Sequence, residues 1–164
     1  MKVSILISSF FIFIFSYAQK NENIGNISYE SECMGVELDG SVTLKAWGNG
    51  RNYLDASEQA KKNAVRDVVF VGIKKGSSEC NSFPLLKNQS AKFDNEDYFN
   101  VFFADGGKYS QFVSLKDERV LEKMKRNKKK NGETRTHGLV VRVNRSALKQ
   151  EVTKDGIIKW IINN

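Results

Sequence analysis

The residue types in this chain that could carry chemistry fall into separate stretches, and each would support a different reaction. Gly48-Asn49-Gly50 joins a strand-like run to a helical one in "LKAWGNGRNYLDA", the order in which phosphate-cradling loops are built. Nucleophilic catalysis would have to draw on Cys33, Cys80 or a serine with His137, the sole imidazole, because such a nucleophile needs a base and an orienting acid. Asp94, Glu96 and Asp97 crowd one stretch, as paired acids or calcium ligands do. Lys123, Lys125, Arg126, Lys128, Lys129 and Lys130 make one basic run.

Spacing argues against most of this chemistry. A dinucleotide fingerprint needs a third glycine that lets helix and strand pack closely; here Tyr53 holds that place, and no acid closes a second strand further on. A Walker loop fails too, since Gly107-Lys108 lacks its leading glycine and is followed by Tyr109. Gly48 and Gly50 therefore read as a tight reversal from sheet to helix. No G-x-S-x-G elbow occurs, so His137 reads as structural or solvent-exposed. The calcium-loop pattern is missing around Asp94, and acids at a helix start meet the positive end of its dipole. Zinc wants about four ligands, and two distant cysteines with one histidine do not supply them. No catalytic residue, cofactor or metal is expected.

The elements around these residues set the frame. Lys2 precedes the apolar run "VSILISSFFIFIFS", and Ser16-Tyr17-Ala18 follows, the layout of a cleavable signal peptide over residues 1–18. The run is shorter than the roughly 20 residues a bilayer core requires, so no membrane span is expected, and no cysteine stands after it to take a lipid. Residues 19–164 fit one domain, exported to the periplasm or secreted. In such a compartment Cys33 and Cys80 are expected to pair; the alternative is two free, buried thiols.

Asp39-Gly40 between Ile27–Leu38 and the alternating run Val42–Trp47 predicts a β-hairpin. Ala56, Ala60, Ala64 and Val68 recur every fourth residue, widened by Leu54, Val65 and Val69, which predicts an amphipathic helix. Asp55 with Glu58 suits a capping box, Asn52 being the other candidate cap. The helix should stop near Gly72 or Gly76. Its small side chains would let it approach a sheet closely. Phe99, Phe102 and Phe103 suit a helix capped by Asp94 or Asn95, in competition with a strand over "YFNVFF". "KYSQFVSL" and "GLVVRVNR" predict strands, and "SALKQEVTKDG" a helix with Ser146 as N-cap and a stop at Gly156. The fold class is α+β, a single domain whose antiparallel sheet, with strands near 29–38, 41–48, 109–115 and 138–144, packs on the alanine-striped helix.

The order "SVTLKAWGNG", "DASEQAKKNAVRDVV" and "GLVVRVNRSALKQEVTKDGII" resembles the small exported domain at the N-terminus of flagellar T-ring assembly proteins and of related small outer-membrane lipoproteins. It covers residues 41–75 and 138–158. The resemblance implies a strand, glycine turn, helix and closing valine-rich strand, a Bacteroidetes-type envelope setting, and an assembly component rather than an enzyme. The lipid-bearing cysteine of the lipoprotein members is missing here. Together with export, this leads to the expectation of a soluble, non-enzymatic envelope protein that binds other proteins in an outer-membrane or cell-surface assembly. The alternative is a module for acidic glycans or lipid headgroups that uses the basic run 123–130. That run has no interleaved aromatics to stack bases, so nucleic acid is not an expected partner; a solvated hairpin tip would also explain it.

Overall fold

The computed structural model describes residues 30–80, 83–88, 90–116 and 135–158. Residues 1–18, expected to be a signal peptide, and the basic run 123–130 lie outside the described residues.

Glu32–Val36 (β1) and Val42–Gly50 (β2) form the antiparallel hairpin that the Asp39-Gly40 pair predicts. Gly40 takes φ 77°, and Asp39 Oδ1 accepts from the Ser41 amide at 2.9 Å, so the turn is closed by the residues that signal it. Arg135–Val143 (β5) pairs antiparallel along the whole of β2, and Val113–Leu115 (β4) adds to its far side. With the two-residue strand Lys75–Gly76 (β3) at the other edge, the order among the described residues is β3-β1-β2-β5-β4.

The sheet is mixed rather than wholly antiparallel, because β3, Lys75–Gly76, runs parallel to β1. Three features stitch this edge. Ser77 donates its amide to Cys33 O at 2.9 Å, and the Cys33 and Cys80 sulfurs are at bonding distance, 1.99 Å. Gly76, at φ 89°, lies so close that a Cβ there would stand 2.2 Å from Cys33 O. So short an edge strand leaves few backbone groups open to another chain.

Tyr53–Arg66 (α1) lies across one face of the sheet, with Ala56, Ala60 and Ala64 fully buried. Asn52 is its cap, Oδ1 accepting from the Asp55 amide at 3.0 Å. Leu54 does not join the stripe; it is half exposed. The helix widens into a π turn over Asp67–Val71 and stops at Gly72, φ 82°. Buried Asp67 accepts there from the Ser31 amide (3.0 Å) and hydroxyl (2.7 Å) and pairs with Arg66 at 2.8 Å.

The expected Gly48–Gly50 reversal is a correction. Both glycines belong to β2, and the chain turns after them, at Arg51-Asn52. A Cβ on Gly48 would stand 2.0 Å from Ala56 O and 2.4 Å from Ala60 N; one on Gly50 would stand 2.3 Å from Ala56 N. The missing side chains make room for helix backbone, not for a turn.

Beyond the helix, Ser90–Asp94 (α2) and Glu96–Phe102 (α3) carry the phenylalanines. Phe99, Phe102 and Phe103 are buried, and Phe70 meets Phe99 edge-on at 4.8 Å. The strand alternative for "YFNVFF" is thereby ruled out. Neither proposed side-chain cap acts at α3, for Asn95 donates instead to Ala91 O. The strand expected over 109–115 is confined to β4, because Lys108–Phe112 forms a 3-10 turn. Tyr109 and Phe112 both enter the core, against Phe103 and Phe102; a spacing of three does this in a 3-10 turn and would oppose them in a strand. Arg145–Lys154 (α4) is capped by Asn144, whose Oδ1 accepts from Ala147 N at 2.9 Å. Ser146 lies inside the helix, not at its cap. Gly156, at φ 79°, follows the helix C-cap Asp155.

Candidate functional site

In β2 the period of two sends Val42, Leu44, Ala46 and Gly48 toward α1, and Thr43, Lys45, Trp47 and Asn49 to the other face. The β2–β5 register places Thr136, Gly138, Val140 and Arg142 beside them. Lys45, Asn49, Thr136 and Gly138 are exposed, and Trp47 and Val140 are half-buried. This face is the candidate site.

Trp47 occupies its middle. A Cβ on the partner Gly138 would stand 3.0 Å from Trp47 Nε1, so the indole lies across the glycine. Lys45 Nζ is 5.1 Å from the ring centroid, a cation–π contact. Thr136 and Asn49 are hydrogen-bonded across the strands. An aromatic body with amide, hydroxyl and ammonium groups around it is equipped for binding, since it offers apolar area and polar groups together.

At the other end Glu37 gathers three donors: the Thr43 hydroxyl at 2.7 Å, Lys116 Nζ at 3.1 Å and Arg142 Nη2 at 3.4 Å. The Thr43 hydrogen bond, then the Lys116 one, pull its carboxyl down to about 2 from 4.5. A carboxylate with a depressed folded pKa adds stability above its unfolded pKa and loses it as pH falls through the folded value. The parent protein should therefore lose stability between about pH 4.5 and pH 2, and Glu37→Gln should flatten that part of the profile. Thermal unfolding across this pH window checks it; equal slopes for parent and variant would show that Glu37 contributes nothing.

The other sequence candidates do not converge. Cys33 and Cys80 are bonded to each other, so neither sulfur is a thiolate nucleophile. His137 stands edge-on to Tyr53, 5.3 Å between centroids, on the helix side of the sheet. Asp94 accepts from Ser90 Oγ at 2.9 Å, and Glu96 and Asp97 open α3, exposed. Among the described residues no group of three or more His, Cys, Asp or Glu side chains is placed to hold a metal ion, and no helix is long and apolar enough to cross a membrane. Another acidic pair, Glu151 and Asp155, is bridged by Lys108, with Tyr98 donating to Asp155 at 2.8 Å. Burial, then this bond, raises the Tyr98 phenol well above its usual range. These contacts tie α4 to the core.

The alternation in Val42–Trp47 predicts the strand and nothing more by itself. The same alternation carried the missed signal, Thr43, Lys45 and Trp47 on one face with nothing in the helix pattern to cover them.

No protein-family model matches the chain, and neither does any curated protein or solved structure.

Proposed function

We propose that the chain is an exported, non-enzymatic envelope protein that binds another protein of an outer-membrane or cell-surface assembly through the sheet face around Trp47. The observation that carries this reading is the composition of that face: one large aromatic at its centre, with Lys45, Asn49 and Thr136 exposed around it. Interfaces concentrate their energy in such aromatic anchors ringed by polar groups. Export is supported by the apolar N-terminal run and by the Cys33–Cys80 pair, which persists in oxidising compartments. The likeness of residues 41–75 and 138–158 to the T-ring assembly domain supports an assembly role over catalysis.

Photo-crosslinking in intact envelopes tests it. A benzophenone side chain at Asn49, on the candidate face, should yield a discrete protein adduct, and one at Leu54, exposed on α1, should not. Equal adducts from both positions, or none from Asn49, would remove the face from the reading.

A further inference from the structure

A concave surface elsewhere on the protein shares no residue with the sheet face. Residues 83–88, α2, the first turns of α4 and residues 156–158 beyond it line an open groove of about 1080 Å³. Its apolar wall is Pro84, Leu85, Ala91, Ile157 and Ile158. Lys87, Arg145 and Lys149 also line it, and Asp94 is its one acid.

None of these three cations is in an ion pair among the described residues. Arg145 Nη2 donates to Phe83 O at 2.9 Å, and that carbonyl is its one polar partner among the described residues. Burial lowers its pKa, as desolvation of a cation does when no anion offsets it. No acid stands in the first turn of α4. Lys149, one helical turn on, is exposed, and Lys87 likewise. Asp94 accepts from Ser90 Oγ and forms no ion pair with any of the three among the described residues.

A guanidinium with free N–H groups is built to take a carboxylate in a two-pronged contact, and the wall beside it is hydrocarbon. We propose that this groove binds an anionic amphiphile of the fatty-acid class, with Arg145 and Lys149 taking the carboxylate and Ala91, Ile157 and Ile158 lying along the acyl chain. Its volume lies just above the roughly 300–1,000 Å³ of small-ligand sites, whereas a specific protein interface spreads over roughly 800 Å² per partner.

Calorimetric titration of the purified protein with dodecanoate, dodecanol and dodecyltrimethylammonium tests the proposal. Dodecanoate should bind saturably at one site, dodecanol more weakly, and the cationic probe not at all. Arg145→Gln should weaken dodecanoate about tenfold or more, the loss of a hydrogen bond to a charged group. Arg145→Lys should recover part of the loss, and Ala91→Asp should abolish binding by placing a charge in the apolar wall. If Arg145→Gln does not fold, Lys149→Gln and Ala91→Asp carry the test. Lack of saturable dodecanoate binding, equal binding of all three probes, or folded variants that bind like the parent would overturn the proposal.

Discussion

Replacing Gly48 with alanine should destabilise the protein by about 3 kcal/mol, at the upper end of what overpacking costs. The added methyl would sit 2.0 Å from Ala56 O and 2.4 Å from Ala60 N. Both are backbone atoms of α1, so no rotamer change can relieve the contact; the helix would have to move off the sheet as a body. That would loosen Leu44, Ala46 and Val141 beneath it, all fully buried. Ala60→Leu attacks the same seam from the helix side and should cost about 1–3 kcal/mol. Gly138→Ala is the contrast. Its methyl would approach only the Trp47 and Lys45 side chains on the opposite face, so its cost should stay within about 1 kcal/mol. Urea unfolding decides: a Gly48→Ala midpoint equal to the parent's would mean that α1 does not rest on β2 as described.

Removing the Cys33–Cys80 bond should cost about 4 kcal/mol, the chain-entropy value for a sequence separation of 47 residues. The closed loop contains β2, α1 and β3, so the bond limits the unfolded freedom of the elements that build the seam. It also holds residues 75–80 against β1, where β3 contributes only a two-residue pairing. Urea midpoints with and without reductant, and of Cys33→Ala/Cys80→Ala, measure it. A loss below about 1 kcal/mol would show that the Leu85 N to Val68 O and Leu86 N to Val69 O bonds suffice to hold this edge without the covalent link.

The hairpin, α1 and β5 were legible in the sequence because each has a local cause: a turn pair whose backbone demands are specific, a stripe with the helical period, a valine run. What was misread depended on contacts between distant residues. Nothing near Gly48 in sequence shows that the backbone of residue 60 will fill its side-chain space, so strand glycines passed for a turn. Tyr109 and Phe112 fit a strand by composition and were turned into a 3-10 segment by Phe102 and Phe103. Asn144 rather than Ser146 caps α4 because β5 ends one residue before it, a boundary that composition leaves open. The candidate face was legible only in part, since alternation sorts Lys45 and Trp47 onto one side but cannot say that α1 packs on the other. Arg145 gave no signal, because its want of a counter-ion is a property of the groove around it.

The most direct test of the functional reading is the Asn49 crosslink repeated in a Lys45→Glu background. Lys45 is exposed, its contact with Trp47 is worth about 0.5–1 kcal/mol, and Glu32 stands opposite it in β1, so the variant should stay folded with a modest loss of stability. Charge reversal beside an aromatic anchor should weaken association with a partner adapted to an ammonium there. The expected result is a folded variant whose adduct is lost or much reduced. A folded variant that gives the adduct at the parent's yield would contradict the claim that this face binds the partner.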